Sequence, residues 1–591
     1  MEGPYGLGTI IDLFAKTAAK HPDRPAASDG HRRLSYMELD TKARALADEL
    51  RTRGIGREDH VALHLVRGVQ VFVALLGVLK AGAAYVPVDT RYPDTRRDLM
   101  MRDSRAKLVI TEPDRVELLA GLGVEVYGLD LEELTSASPE QTYQVDERDA
   151  AAVLFTSGSS GQPKAVVLEH RNIVHFARNI SLPALMPDDR VGHISSLSFD
   201  AFHFETWCAF AAGAEIVVLP TMPDLINSDI QRELRRRRIT AMLVPTMAVN
   251  HVMREDRHAF SPLRILHTGG DVISPTACRE LLNGSFSGIF SNLYGPTEAT
   301  TACTVHQINE VAADADTVPI GTPLAGSSVY LLDDWLDEVA EGVVGQLHIG
   351  GSGVARGYLA QGSLTAEKFL PDPFAAEGRR MYATGDRAVR CSSGVLEYVG
   401  RTDDQVKIRG HRVEPREVER TLSQHKEVRE AAVLVAGGTI ATHLVALVVS
   451  DEQISPKQLR KYAVSVMPDF MVPGSFVLVP EIPANDHGKR DLDQLRQLAD
   501  EHVRRGENRV APRDQVERHL AAIWEDLLAV EQIGATDDFF ALGGNSLLAF
   551  RVQRRISREL GVALEPRDVL TNSELGGLAT LIRERKETVT S

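Results

Sequence analysis

Cysteine is scarce in this sequence, and long apolar runs are absent. The chain has 591 residues but four cysteines, and Cys208, Cys278, Cys303 and Cys391 form no CxxC pair. This spacing argues against a disulfide framework and a structural zinc site. The longest apolar stretch, 71–79, is far shorter than the roughly 20 residues that span a bilayer. The N-terminus also lacks the segments of a signal peptide, so we expect a cytoplasmic protein without a membrane partner.

Basic residues are also fewer than acidic residues. The 66 Lys and Arg residues are outnumbered by 82 Asp and Glu residues, which gives a net charge of −16. Because nucleic acids and anionic lipids are repelled by such a balance, we expect neither as a main partner. The one basic run, 235–238, is typical of an exposed helix face.

The pattern of the chain predicts three units, because 591 residues are too many for a single core. Residues 1–402 alternate helix-like segments with short apolar runs, which is typical of a large α/β domain with buried strands. A polar stretch then leads into a small α+β domain over 403–500, and 501–512 has the composition of a linker. Apolar residues at helical spacing predict an all-α four-helix bundle over 513–591. Strands are predicted at 61–66, 107–111, 215–219, 241–244, 264–268, 431–435 and 444–449.

A loop rich in hydroxyl groups follows one of these apolar runs. Residues 156–164 contain four hydroxyl side chains, two glycines and Lys164, a composition that can surround phosphate oxygens. It is not the P-loop of kinases, because the lysine follows Pro163 and no Ser or Thr comes after it.

Three further motifs follow in order. Residues 292–298 combine an aromatic ring that can stack on a base with Glu298, a carboxylate that can hold Mg²⁺. Residues 382–386 end in Asp386, which is suited to bridging two ribose hydroxyls. A fourth motif begins at Arg401 and ends at Arg412. Four such motifs in this order are hard to explain as unrelated turns.

Together they resemble the adenylation domains of nonribosomal peptide synthetases, within the larger family of adenylate-forming enzymes, and the resemblance covers essentially the whole chain. The family writes the first motif as YTSGTTGxPKG, and Phe155, Ser160 and Ala165 depart from it here. Residues 350–358 and 467–473 also match. The resemblance implies a multi-subdomain adenylate-forming core over 1–402, a mobile C-terminal subdomain over 403–500 and a peptidyl carrier domain over 513–591.

The resemblance also implies a nucleotide site that uses ATP and Mg²⁺. Glu298 is expected to hold the metal, and Lys489 to bridge the substrate carboxylate and the nucleotide, although His487 stands where the family has Asn. Thr156 and Lys164 are the other expected catalytic residues. The implied nucleotide-binding residues are Ser157, Gly158, Ser159, Ser160, Gly161, Gly270, Asn292, Tyr294, Gly295, Thr297, Asp386 and Arg401.

The substrate is expected to be an α-amino acid. Residues 197–205 match the family segment FDxxxxE, and Asp200 is the expected partner of an α-ammonium group, since a buried carboxylate is costly unless paired. Because no wall residue is charged unless His267 protonates, we expect an uncharged side chain. Aliphatic contact is favoured, while His267 and Thr301 leave a hydroxylated or aromatic side chain open. The implied pocket residues are Phe199, Ala201, Phe204, Met242, His267, Gly269, Leu293, Thr301 and Ala302.

The last unit resembles a peptidyl carrier protein, because 537–547 matches its DxFFxLGGxS signature. This implies that Ser546 carries a 4′-phosphopantetheine arm attached by a phosphopantetheinyl transferase. By the same resemblance, Asp403 is a hinge about which the mobile subdomain swings, so that the face around Lys407 and Gly410 replaces Lys489.

We therefore expect an ATP-dependent ligase that forms an aminoacyl adenylate and loads its own carrier. Since the core begins near Met1 and a short tail follows the carrier, we expect a free-standing loading didomain that serves a separate condensation or tailoring enzyme. An MbtH-like protein near Ala431 and Ala432 is a further candidate partner. Two alternatives stay open: an acyl-carrier ligase for a carboxylic acid without an amine, and a catalytically silent docking scaffold.

Overall fold

The computed structural model describes residues 8–590 except 136–144, 159–160, 227, 376–377, 409, 437–442, 451–453, 484–489, 492–493, 500–509, 529, 531, 541, 543 and 545. The chain divides into two compact units. The first comprises Met1–Tyr92, Arg97–Thr156 and Pro163–Asp404, and the second Pro93–Arg96, Ser157–Gln162 and Gln405–Ser591. The main boundary therefore falls one residue after Asp403, the expected hinge.

The strands alternate with helices along most of the chain, as the sequence predicts for an α/β protein. The strands are β1 Pro25–Ser28, β2 Arg33–Ser35, β3 His60–His64, β4 Ala84–Pro87, β5 Leu108–Thr111, β6 Glu125–Gly128, β7 Ala150–Thr156, β8 Lys164–Glu169, β9 Arg190–His193, β10 Glu215–Val218, β11 Ala241–Pro245, β12 Ile265–Gly269, β13 Ile289–Tyr294, β14 Thr304–Gln307, β15 Thr322–Pro323, β16 Ser327–Leu332, β17 Val344–Gly351, β18 Gly357–Tyr358, β19 Phe369–Pro371, β20 Arg380–Arg390, β21 Leu396–Arg401, β22 Val406–Ile408, β23 His411–Val413, β24 Val428–Ala436, β25 His443–Ser450 and β26 Ser475–Leu478.

The helices are α1 Ile10–Lys20, α2 Tyr36–Thr52, α3 Val69–Lys80, α4 Asp94–Asp103, α5 Val116–Leu119, α6 His170–Ala177, α7 Ala209–Ala212, α8 Met222–Ile226, α9 Ile230–Arg237, α10 Thr246–Glu255, α11 Pro275–Leu282, α12 Gly362–Lys368, α13 Pro415–Leu422, α14 Pro456–Val466, α15 Gln515–Leu528, α16 Ser546–Leu560, α17 Pro566–Thr571 and α18 Leu575–Thr590.

Three sheets build the first unit. One has nine strands in the order β15-β14-β13-β12-β11-β9-β10-β1-β2, and another has seven in the order β18-β8-β7-β4-β3-β5-β6. The third has the order β16-β17-β20-β19, with β21 paired to β20. Buried residues of α1, α2 and α3 share one core with one face of each larger sheet. The opposite faces bury separate cores.

The alternation of side chains along each strand decides which core a residue joins. In β11, Ala241 and Leu243 join the central core, whereas Met242 and Val244 join the core on the other face. This arrangement contradicts the expectation that Met242 lines the side-chain pocket together with His267. Leu243 is the residue paired with His267 across β11 and β12.

The second unit holds a small mixed domain and a helical bundle. Its three-stranded sheet has the order β24-β25-β26 and packs with α13 and α14 around one core. Helices α15 to α18 bury a second core around Trp524 and Phe539. Arg460 of α14 lies 4.7 Å from the Phe540 ring centroid and 3.6 Å from Asp538, so the two parts make polar contact.

The structure confirms the mixed α/β class, the seven predicted strands and the four-helix bundle. The basic run falls at the end of α9, where Arg238 takes a left-handed conformation. In the described part of the chain, no helix is long and apolar enough to cross a bilayer. Ala431 and Ala432, near which an MbtH-like protein is expected, are 2% and 1% exposed, while the adjoining Arg429 and Glu430 are exposed.

Candidate active site

The hydroxyl-rich loop joins the ends of two paired strands. Thr156 is the last residue of β7 and lies opposite Lys164, the first residue of β8. The hydroxyl of Thr156 is buried without a hydrogen-bond partner, which fits a group that awaits a phosphate oxygen. The left-handed conformation of Gly161, with φ of +77°, favours glycine in the turn. Ser159 and Ser160 lie outside the described residues.

Two other groups of this loop are already bonded. The hydroxyl of Ser157 donates to the carbonyl of Arg412 at 2.7 Å, and the Gly158 N–H donates to the Glu417 carboxylate at 3.1 Å. Both bonds lie within the second unit. For either group to bind phosphate, these contacts must first break.

Tyr294 and Asp386 form one buried hydrogen-bonded pair. The Tyr294 hydroxyl donates to Asp386 at 2.5 Å, and Arg401 forms an ion pair with the same carboxylate. Gly385 has φ of +76°, and a side chain there would lie 2.8 Å from the Arg401 guanidinium. The expected ribose carboxylate is therefore held between a phenol and a cation. Asn292 donates to the Pro319 carbonyl at 2.9 Å.

Glu298 lies in the 3₁₀ turn Thr297–Ala299 and is fully buried. The Tyr358 hydroxyl donates to its Oε1 atom at 2.8 Å. No group of three or more acidic, His or Cys residues that could hold a metal occurs in the described ranges. A single carboxylate that shares the ion with nucleotide phosphates suits Mg²⁺, so the donor set fits the expected metal.

Asp200 is close to this carboxylate. Thr297, next to Glu298 in the chain, donates from its hydroxyl to Asp200 at 2.6 Å. Burial, with a smaller contribution from the charge of Glu298, raises the pKa of Asp200 to about 6, although the hydrogen bond from Thr297 acts in the opposite direction. No cationic side chain in the described part of the chain forms an ion pair with Asp200. The Thr297 hydroxyl, expected at the nucleotide, thus bonds to the carboxylate expected to bind the substrate ammonium group.

Glu205 holds the loop that leads to Asp200. Its fully buried carboxylate accepts hydrogen bonds from the Ser195 hydroxyl at 2.8 Å and the Ser195 N–H at 3.1 Å. His193 Nδ1 lies 2.6 Å from the same carboxylate. The match to FDxxxxE alone assigns no role to its glutamate. The sequence did contain a sign of this anchoring role. A carboxylate beside the mainly apolar residues 207–212 is costly to bury unless it has partners.

Three neighbouring strands form one side of the pocket expected to hold the substrate's side chain. Leu243, His267 and Ser291 face each other across β11, β12 and β13. The Phe204 ring lies edge-on to His267 at 4.9 Å. Gly269 is required by a close approach, because a side chain there would lie 2.6 Å from the Leu293 carbonyl oxygen. Met242 is excluded from this face, as the strand alternation shows.

Two polar side chains on this side of the pocket lack hydrogen-bond partners. Both ring nitrogens of His267 and the hydroxyl of Ser291 are buried without a hydrogen bond, and burial lowers the pKa of His267 to about 3. The Thr301 hydroxyl, by contrast, donates to the Asp200 carbonyl at 2.9 Å and lies 3.1 Å from His203. The polar groups that lack hydrogen-bond partners here are therefore the neutral imidazole of His267 and the hydroxyl of Ser291.

The residues expected at the hinge, on the mobile subdomain and on the carrier follow Arg401 in the chain. Lys489 lies outside the described residues. Lys407 belongs to β22, and Gly410 follows it with φ of +78°. Asp403 accepts from Arg401 at 2.6 Å. Ser546 is the first residue of α16.

Three protein-family models match successive parts of the chain. The model described as AMP-binding enzyme matches residues 14–359, and that described as AMP-binding enzyme C-terminal domain matches 417–489. A third, the phosphopantetheine attachment site, matches 518–582.

Individual relatives were found among peptide synthetases. The chain is 34% identical over 580 residues to gramicidin S synthase 2 of Brevibacillus brevis, covering 98% of this chain and 13% of that protein. It is also 34% identical to gramicidin S synthase 1 of the same organism, covering 98% and 52%. The chain thus spans about an eighth and about half of these relatives.

Solved structures also align with most of this chain. The holo form of PA1221, an NRPS protein with adenylation and PCP domains bound to a vinylsulfonamide inhibitor, aligns with a TM-score of 0.82 and 27% identity, covering 98% of this chain and 97% of that one. An artificially fused adenylation-PCP didomain from Klebsiella oxytoca aligns with a TM-score of 0.74 and 25% identity, covering 85% and 98%.

The raised pKa of Asp200 makes a prediction about pH. Below about pH 6 its carboxyl group is neutral and cannot pair with an ammonium group. We expect kcat/KM for the amino acid to fall about tenfold per pH unit below this point, while nucleotide binding changes less. Asp200→Asn should lower kcat/KM by roughly two to four decades, corresponding to about 3–5 kcal/mol, and remove the inflection.

Thr297→Val provides the matched control. The variant lacks the hydrogen bond that lowers the pKa of Asp200, so its inflection should move to higher pH. Pyrophosphate exchange measured across pH checks both results. An inflection that persists in Asp200→Asn would contradict the assignment.

Proposed function

Because this chain belongs to the family of AMP-binding enzymes and joins such an enzyme to a carrier domain as in nonribosomal peptide synthetases, we propose that it activates an α-amino acid and loads it onto its own carrier. ATP and the amino acid would give an aminoacyl adenylate and pyrophosphate. The carrier thiol would then displace AMP and hold the amino acid as a thioester. A cytoplasmic location is part of this proposal.

The observation that carries the proposal is the environment of Asp200. Its carboxylate is partly buried, lies near the negative Glu298 and has no ion-pair partner in the described part of the chain. An α-ammonium group supplies the missing positive charge. A ligase for a carboxylic acid without an amine gains nothing from this carboxylate, which disfavours the first alternative.

The chain's own residues prepare the phosphoryl chemistry. Thr156 offers an unbonded hydroxyl to a phosphate oxygen, and Lys164 adds positive charge at the adjoining strand. Glu298 would hold Mg²⁺, which offsets the negative charge that develops when the carboxylate attacks the α-phosphorus. Asp386 would orient the ribose. A silent scaffold has no need of this set of groups, which disfavours the second alternative.

Lys489 and the carrier complete the proposed cycle. Lys489 would align the substrate carboxylate for adenylation, and rotation about Asp403 would then bring the face around Lys407 and Gly410 to the site. Partners in this cycle would be a phosphopantetheinyl transferase and an enzyme that consumes the carrier-bound amino acid. An MbtH-like protein near Ala431 and Ala432 stays a candidate partner.

We further propose an uncharged side chain that carries one hydrogen-bonding group. The pocket walls Phe204, Leu243 and Leu293 are apolar, and all three are buried. A charged side chain would find no fixed counter-charge among them. The unpartnered His267 and Ser291 favour a hydroxyl over a purely aliphatic side chain, because an unsatisfied buried polar group is costly.

Amino-acid-dependent pyrophosphate exchange tests the main proposal. We expect exchange with one or a few amino acids and none with their deaminated analogues, because only the amine pairs with Asp200. The assay should use the full chain with Mg²⁺ and ATP. Equal exchange with an acid and its amino counterpart would favour the acyl-carrier ligase instead.

The role of the carrier is tested separately. Coenzyme A and a phosphopantetheinyl transferase should add one phosphopantetheine group, seen by intact mass. Ser546→Ala should abolish the addition and leave exchange unchanged, because the serine supplies only the attachment oxygen. Addition to the variant, or loss of its exchange, would argue against this separation of roles.

The side chain can be tested with near-isosteric substrate pairs. Threonine with valine and tyrosine with phenylalanine differ mainly in a hydroxyl group. Within the pair that fits the pocket, we expect the hydroxylated member to be favoured roughly 10- to 100-fold in kcat/KM, from about 1–3 kcal/mol for an unsatisfied polar group. His267→Leu should remove this preference, and Ser291→Ala shows which group bonds the hydroxyl. A preference for the apolar member would contradict the proposal.

A further inference from the structure

Tyr358 lies between two residues of the proposed phosphoryl-transfer site. It ends the short strand β18, where it pairs with Val166 of β8. Its side chain is buried, at 5% exposure, and its backbone N–H donates to the Thr365 hydroxyl at 3.0 Å. Both the backbone and the ring are therefore fixed by neighbours.

The two ends of the Tyr358 side chain contact different groups. The hydroxyl donates to Glu298 Oε1 at 2.8 Å. The Lys164 ammonium lies 5.4 Å from the centroid of the same ring, within the range of a cation–π interaction. One side chain thus contacts both the expected metal carboxylate and the lysine that ends the phosphate loop.

A second tyrosine supports this arrangement. The Tyr382 hydroxyl lies 3.4 Å from that of Tyr358, and Phe369 packs edge-on against the Tyr358 ring at 5.3 Å. The ring therefore cannot swing away without disturbing its neighbours. Tyr382 is linked to Glu298 through the Tyr358 hydroxyl. Substitution of Tyr382 therefore serves as a control for substitution of Tyr358.

We propose that Tyr358 is a positioning residue that aims the Glu298 carboxylate and the Lys164 ammonium at the same nucleotide phosphates. The proposal rests on the proposed function, because it assigns Glu298 to Mg²⁺. A hydrogen bond to one oxygen restricts the rotation of the carboxylate about its last side-chain bond. Partners of this kind around a metal ligand change metal affinity by roughly 10- to 100-fold when they are removed.

The geometry gives each part of the tyrosine a separate task. Tyr358→Phe removes the hydroxyl and keeps the ring beside Lys164. Tyr358→Leu removes both. The phenylalanine variant should therefore affect the metal alone, and the leucine variant should also weaken nucleotide binding in the absence of a divalent ion.

The test uses Mn²⁺ as a spectroscopic probe for the Mg²⁺ site. Electron paramagnetic resonance of free Mn²⁺ should show roughly tenfold weaker metal binding to the ATP complex of Tyr358→Phe than to that of the parent chain. Tyr382→Phe should show a smaller effect. Metal-free ATP affinity, measured by calorimetry, should stay unchanged in Tyr358→Phe and fall in Tyr358→Leu.

Two results would overturn the proposal. Unchanged Mn²⁺ affinity in Tyr358→Phe would show that the hydroxyl does not position Glu298. A uniform loss of Mn²⁺, ATP and amino-acid binding, together with a lower melting temperature, would show that the tyrosine only supports the fold. If the parent chain itself binds no Mn²⁺ with ATP, the proposed function fails rather than the role of Tyr358.

Discussion

Two carboxylates held close together in a poorly solvated part of the first unit impose the main constraint on this site. The negative charge of Glu298 raises the pKa of Asp200, and a short tether joins them, because Thr297 precedes Glu298 and bonds to Asp200. The turn continues into Thr300 and Thr301, which have φ of 60° and 71°. Left-handed residues of this kind are costly, and hydrogen bonds to Gly353 and Asp200 hold them.

Like charges at short range favour the binding of cations, and the proposed reaction supplies two. The ammonium of an amino acid suits Asp200, and Mg²⁺ bound to ATP suits Glu298. Each ligand relieves part of the repulsion that the other carboxylate feels, so binding of one should favour binding of the second. The same constraint explains why a third group, the Tyr358 hydroxyl, is used to fix Glu298.

The sequence predicted the fold class, the strands and the helical bundle well, and the side-chain contacts less well. Apolar runs and helical spacing located the strands and the bundle because those patterns follow from burial. Met242 was assigned to the pocket although Leu243 occupies that face, since a shift of one residue in a strand exchanges the two faces. The hydrogen-bond partners of Thr297 and Tyr358 come from distant segments, and no local pattern records them. Thr301 was expected to face the substrate, yet its hydroxyl is used by the backbone of Asp200.

Loading of the chain's own carrier is tested most directly by the intact mass of the pantetheinylated chain after a single turnover with ATP, Mg²⁺ and its amino acid. We expect a gain of one amino acid less one water, which hydroxylamine removes as expected for a thioester. No gain should occur with the deaminated analogue. A gain with the deaminated acid, or no gain with an amino acid that supports exchange, would contradict the claim that one site recognises the ammonium group and supplies the chain's own carrier.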